Sequence, residues 1–376
     1  MKKYLIFKSV NAYAIVLILL SAQMSCTLEP DSGDMFRCAP ELFEDGAVLV
    51  LTTNYETSSV DLFHPDCPDE IRQNRVIASG DAVLKKWGKL PVVVNRGAES
   101  NLMVLNERLD VVSQISLPGC GPHDIVGLDE DNLLVSCYES TSIQKVVLSE
   151  ERSEVWLELA DYSGSDGFPE MDALAIDENY VYVTLQNLDR RNNWTPEKPG
   201  TVLVFERDGL ALYQEIILPC DNPFTGLFFR DSATMWVGCA GDWGDSYEDA
   251  GIISLNLNDW SVTTLYDGAD LNGRPTALDT GVSSQSLAVS AMPSSNSAWD
   301  VATMQVLRLE QERVEALYTQ SGFSLGGIKS WADDKLLIAQ RTYDSQSGVL
   351  LLDLATMEVE RRWQTGLLPS HFIVSD

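Results

Sequence analysis

The chain has 376 residues, with 56 acidic against 26 basic side chains and a formal net charge of −30. So negative a protein is repelled by nucleic acid and by anionic membrane surfaces, which excludes both as partners. A hydrophobic content of 45% is enough to build a large packed core.

The N-terminus reads as an export signal. Lys2, Lys3 and Lys8 make a basic head, and the apolar run Ala12 to Leu20 is nine residues long. That is far short of the roughly 20 residues a spanning helix needs, so the run is a signal core. Cys26 follows within six residues, where a bacterial lipoprotein signal places its lipid-accepting cysteine. The segment resembles a lipobox at Ser25 and departs from it at Gln23 and Met24. Seven cysteines is an odd number for an exported chain, and assigning Cys26 to lipid leaves an even set of six. Ordinary cleavage nearby would instead leave Cys26 free in a tail. The expected layout is a signal peptide over 1–25, a tether and lead-in over 26–45, and one domain over 46–376. The expected location is the outer membrane, facing periplasm or cell surface, with the lipid as sole membrane contact.

Beyond the lead-in a unit recurs. Its first hairpin is clearest in "PHDIVGLDEDNLLVSC" (122–137), "EMDALAIDENYVYVTL" (170–185), "FTGLFFRDSATMWVGC" (224–239) and "SLGGIKSWADDKLLIAQ" (324–340). Each is followed by a second pair of short alternating strands, giving four strands per roughly 40 to 48 residues, the period of a β-propeller blade. Six complete units span about 81–118, 122–159, 170–218, 224–266, 275–319 and 324–363. The N-terminal "GAVLVLTTN", "SSVDLF" and "NRVIAS" lack an innermost partner, and the C-terminal "LPSHFIVSD" matches "GPHDIVGLD" in character. The last strand therefore completes the first blade, because an open ring would expose two sheet edges. The expected fold is all-β, a seven-bladed propeller of four-stranded blades.

This architecture explains two cysteine pairs. The residue before an innermost strand and the residue ending the second strand lie side by side, so Cys120 pairs with Cys137 and Cys220 with Cys239. By elimination Cys38 pairs with Cys67. With no CxxC and no clustered histidines, a metal role for these cysteines is disfavoured.

The "P-H-D-I" and "N-L-L-V-S" phrasing of the repeats resembles bacterial seven-bladed propellers of the surface-antigen and lactonase-like superfamily. The segment "SDGFPEMDALAIDENYVYVTLQNLDRRNNW" (165–194) is similar to one in propeller lipoproteins of environmental bacteria. The resemblance implies a fold and a surface role, such as capturing a cofactor for an outer-membrane transporter, but assigns no residue.

Candidate chemistry sits on loops that join second to third strands, since a rigid scaffold holds them still. Four such loops, 186–200, 240–251, 292–302 and 341–348, carry Trp194, Trp243 with Tyr247, Trp299, and Tyr343. Arg190, Arg191 and Arg341 add cations in an acidic chain. This set suits a flat or sugar-like ligand bearing an anionic group, or else the rings fold back over their own loops. In "DYSGSDGFPEMD" (161–172), Asp161, Ser163, Ser165, Glu170 and Asp172 have the alternation of a calcium loop, although the glycine falls one place late and the closing glutamate is missing. Calcium is the one cofactor this suggests. His123 and His371 head the innermost strands of blades three and one, as channel ligands, a general base or packing residues. No GxSxG, HExxH or GxGxxG is present.

Three roles follow. The first is a monomeric binding scaffold using the loops of blades four to seven for a small molecule or an outer-membrane protein. The second is a lactonase-like or metal-assisted hydrolase using His123 with Glu170 or Asp172 in the channel. The third is a purely structural role in assembly.

Overall fold

The computed structural model describes residues 40–67, 70–243, 246–283, 286–292, 303–310, 313–321, 326–332, 334–342 and 347–376. The signal segment, Cys26 and Cys38 lie outside them.

Seven four-stranded antiparallel sheets follow one another in the chain. Blade two comprises Ala82–Trp87, Leu90–Asn95, Asn101–Leu105 and Val111–Ser116, and blade three Pro122–Gly127, Asn132–Cys137, Ser142–Val147 and Arg152–Glu158. Blade four is Met171–Ile176, Tyr180–Leu185, Thr201–Glu206 and Leu212–Ile217, and blade five Pro223–Asp231, Thr234–Cys239, Gly251–Asn256 and Val262–Asp267. Blade six is Arg274–Ser283, Ser286–Met292, Thr303–Glu310 and Arg313–Ser321, and blade seven Ile328–Ala332, Lys335–Gln340, Gly348–Asp353 and Glu358–Gln364.

Blade one is built from both ends of the domain. Val48–Thr53, Thr57–Phe63 and Ile71–Ser79 form its outer three strands, and Leu368–Val374 pairs with Val48–Thr53 as the innermost. The register runs from Val48 opposite Val374 to Leu51 opposite His371, then shifts at a bulge before Thr52. The expected ring closure is thus the observed one.

Burial follows from this stacking. Second strands such as VLVLTT and NLLVSC are buried on both faces, because each lies between two neighbouring blades. Outermost strands such as VVSQIS and LYQEII alternate, with one face in solvent. Apolar β-branched runs in the middle and mixed strands outside are what this layering demands. One continuous core cluster joins Val94, Leu133, Leu134 and Val183 across blades two to four. Among the described residues no helix is long and apolar enough to cross a membrane.

Cys120–Cys137 and Cys220–Cys239 are disulfides, with Cα separations of 4.5 and 6.0 Å, as an oxidising, extracytoplasmic compartment allows. Cys67 is buried, and its carbonyl accepts the Trp363 indole N–H at 3.1 Å. Its expected partner Cys38 is outside the described residues. Each disulfide fixes the root of the loop after its second strand. Beside the first, Tyr138 N donates to Gly121 O and Glu139 N to Cys120 O, both at 2.9 Å. Replacing Cys120 and Cys137 together by serine is expected to cost about 3 kcal/mol, the loop-closure value for a ring of this size. Chemical denaturation read by tryptophan fluorescence measures it, and an unchanged midpoint would refute it.

Candidate functional site at the rim of blades three and four

The loops after second strands, and those leading into innermost strands, share one end of the propeller. There two segments of blade four lock together. In the lead-in loop, Ser165 N donates to Glu197 Oε2 at 2.7 Å, and Asp166 accepts from Phe168 N at 3.0 Å and Arg190 N at 3.3 Å. In the loop after the second strand, Leu188–Asp189 pairs with Thr195–Pro196. Between them a turn of 3-10 helix, Arg190–Asn192, is capped by the Asp189 side chain accepting from Arg191 N at 2.9 Å. Asn193 and Trp194 both have left-handed backbone, φ 54° and 61°. That reversal carries the indole back toward blade three.

Arg190 is the centre of the cluster. Its Nε lies 3.4 Å from Glu170 Oε1 and 3.6 Å from Asp166 Oδ2, and its Nη2 donates to the Tyr138 carbonyl. Its guanidinium faces the rings of Phe168, Tyr138 and Trp194 at 4.3, 5.2 and 5.6 Å, cation–π distances. Glu170 is fully buried, with φ +46°, a conformation costly for a side chain with a Cβ. Burial, reinforced by the neighbouring Asp166 carboxylate, pushes its pKa up to about 8 despite Arg190. At neutral pH Glu170 therefore keeps its proton.

From this cluster an aromatic ladder leads into the channel. Trp194, 43% exposed, lies 6.1 Å from the Tyr138 ring, and Tyr138 stacks on His123 at 4.0 Å and 8°. The Tyr138 hydroxyl donates to Gln186 Oε1 at 2.8 Å, and burial raises its pKa. His123 Nδ1 donates to Asp172 Oδ1 at 2.9 Å. Burial, then the charge of Arg96, lowers the His123 pKa against the pull of Asp172. The imidazole is thus neutral, oriented by a carboxylate, and presents Nε2 as an acceptor. His371 is neutral too, pushed down to about 3 by burial and by Arg96, Lys85 and Arg341.

Arg190, Trp194, His123, Glu170 and Asp172, which the sequence placed in three separate roles, are one assembly. Other candidates lie elsewhere. Trp243 packs edge-on against Phe224 at 5.2 Å and under the Arg274 guanidinium at 5.5 Å. Half-buried Tyr247 sits against Gly268, where any Cβ would come within 2.1 Å of the Tyr247 carbonyl. The blade-five loop is therefore closed by its own aromatic residues. Arg341, 3% exposed, bonds the Tyr55 hydroxyl of blade one. Exposed Arg191 bonds Ser165 Oγ at 3.0 Å. Trp299 and Tyr343 lie outside the described residues.

Four of the five oxygen side chains of the expected calcium loop have separate surroundings, and the fifth, Ser163, keeps a buried Oγ with no hydrogen-bond partner among the described residues. Asp161 is exposed in a separate 3-10 turn, Ser165 bonds Arg191, Glu170 faces Arg190 and Asp172 holds His123. Among the described residues no cluster of His, Cys, Asp or Glu suits a metal ion. The loop turns at Gly167, φ +98°, and sends Glu170 and Asp172 to different partners.

Sequence reasoning missed Tyr138, Asp166, Phe168 and Arg96. Tyr138 was the one within reach, since it directly follows the stapled Cys137 and so begins a loop equivalent to that of Arg190.

No family model matches the chain, and no curated protein matches it. Solved structures do. A putative 6-phosphogluconolactonase from Bacteroides fragilis is similar at 12% identity and a TM-score of 0.57, over 88% of this chain and 98% of that one. A functionally unknown protein from Desulfotomaculum acetoxidans is similar at 14% identity and TM-score 0.57, over 88% and 99%. A dihydro-heme d1 dehydrogenase is similar at 11% identity and TM-score 0.52, over 89% and 77%. At these identities the likeness is one of fold: the chain is a seven-bladed β-propeller with neighbours throughout that class.

Proposed function

We propose that this protein is an exported, lipid-anchored binding propeller that captures a small molecule carrying a flat ring and an anionic group. Its binding face is the rim of blades three and four. The observation that carries this reading is the half-exposed Trp194 ring, backed by Tyr138 and His123 and held by the half-buried Arg190. Such a rigid aromatic surface offers stacking area at little cost in side-chain entropy. A lipid on Cys26 would hold the monomer at the outer membrane, with this face free for its ligand or for an outer-membrane protein.

The test is calorimetric titration of a form beginning after Cys26 against aromatic carboxylates, sugar acids, lactones and tetrapyrroles. Trp194→Ala is expected to weaken the binder about tenfold or more, the equivalent of about 1.4 kcal/mol, with an unchanged melting temperature. A binder held equally by both forms would overturn the proposal.

A second reading is favoured by one feature, the neutral His123 whose Nδ1 is tied to Asp172, the geometry of a general base and its orienting carboxylate. If a lactone in that panel is hydrolysed by the wild type but not by His123→Gln, the hydrolase replaces the binding scaffold.

A further inference from the structure

Three other cations of the ring are paired with carboxylates. Lys85 pairs with Asp124 at 2.7 Å and Lys329 with Asp279 at 2.8 Å, and Arg190 faces Glu170 and Asp166. Arg96 differs. It follows the second strand of blade two, and its amide donates to Asp81 O at 2.9 Å, which roots it at the head of that blade's innermost strand. The flanking innermost strands are those of blade one, with His371, and blade three, with His123. Among the described residues Arg96 makes no ion pair, and its buried Nε has no hydrogen-bond acceptor. In a chain with 56 acidic residues, a half-buried guanidinium without a carboxylate is unexpected.

The two imidazoles complete the setting. His123 Nδ1 is used by Asp172, and His371 Nδ1 lies 3.2 Å from Ser370 Oγ. Neither Nε2 has a partner among the described residues. Near enough to both rings for its charge to bear on each, Arg96 helps to keep them uncharged. A guanidinium accepts a carboxylate through two parallel hydrogen bonds, while neutral His123, with its proton on Nδ1, offers Nε2 to a hydroxyl donor.

We infer that Arg96, flanked by His123 and His371, is the anion-holding end of the binding face and selects small hydroxylated carboxylates, with the carboxylate on Arg96 and a hydroxyl on His123 Nε2. This rests on the small-molecule reading above and supplies the ligand class it lacks.

The experiment titrates lactate, gluconate and glucuronate into the disulfide-intact protein, with glucose lacking the carboxylate and propionate lacking the hydroxyl as controls. At least one hydroxy acid is expected to bind, more tightly than either control. Arg96→Gln should weaken it tenfold or more without shifting the melting temperature. His123 and His371 imidazole resonances should move on titration in the wild type and not in Arg96→Gln. Failure of all three hydroxy acids to bind at about 10 mM, weaker than the affinity of an ordinary specific site, overturns the inference. Equal binding by Arg96→Gln does the same. If Trp194→Ala abolishes capture of another ligand while Arg96→Gln leaves it intact, the stacking face stands and this inference fails. Loss with Arg96→Gln but not with Trp194→Ala upholds the carboxylate site and removes the stacking reading.

Discussion

Deletion of Leu368–Asp376 is expected to abolish cooperative folding rather than trim a tail. This strand supplies the innermost position of blade one, pairing along the whole of Val48–Thr53. Phe372 packs with Val50, Phe63 and Trp363, and Ile373 joins a second cluster with Leu49 and Val60. Burial of each such side chain contributes about 1.5–3 kcal/mol. The deletion also leaves Gly327 N without its acceptor, Ser370 O at 2.6 Å, and Leu51 O without the Ser370 hydroxyl at 3.0 Å. Together these losses rival the 5–15 kcal/mol that is the whole stability of an ordinary domain. The exposed edge of Val48–Thr53, apolar from Val48 to Leu51, would then be a template for aggregation. Circular dichroism and size-exclusion chromatography check the result. A truncated monomer melting cooperatively within a few degrees of the full chain would show that six blades close without the seventh.

The second large effect is expected from Arg190→Met, which keeps the length of the side chain and removes its charge. Asp166 then faces Glu170 with no cation between them, and the Tyr138 carbonyl loses its donor. Breaking a buried ion cluster from one side costs about 3–5 kcal/mol, and the loss should depend on pH. Glu170 has a folded pKa raised from 4.5 to about 8. A carboxyl raised in the folded state makes the native form bind more protons than the unfolded chain. Stability therefore falls as pH climbs from about 4.5 to about 8. Arg190 is the group that opposes this rise. Without it the window extends above pH 8, so the deficit of Arg190→Met grows from pH 7 to pH 9. Urea midpoints across that range measure it. A variant as stable as the wild type at pH 9 would mean that the guanidinium is dispensable to the cluster.

Much of this was legible from the chain, and for definite reasons. A blade is a local unit, so its alternation, its turn residues and its period are written within about 45 residues. The disulfides were legible for the same cause, since Cys120 and Cys137 bracket one hairpin, as do Cys220 and Cys239. Even the closure of blade one could be deduced, because an unpartnered edge at each end of the domain has one economical remedy. Trp194 and Arg190 stood out as an aromatic and a cation on a long loop in an acidic chain.

The site itself was not legible as a unit. His123 and Asp172 are 49 residues apart, and Arg190 reaches a carbonyl 52 residues earlier. Nothing local links them, because their meeting depends on the radial packing of one blade against the next. Trp243 and Trp194 looked equivalent in sequence, yet one closes its own loop against Phe224 while the other turns outward through two left-handed residues. For a related reason, the oxygen spacing of residues 161–172 does not say which way each carboxylate turns.

The sequence by itself determined the all-β propeller, its seven blades, its closure and its two hairpin disulfides, because each is a consequence of short-range pattern and of the need to bury sheet edges. Only the tertiary structure decided which loops form a shared face, which carboxylate holds a proton and which arginine lacks a carboxylate partner. Those properties are set by contacts between blades, where burial and neighbouring charge act across distances the chain order does not encode.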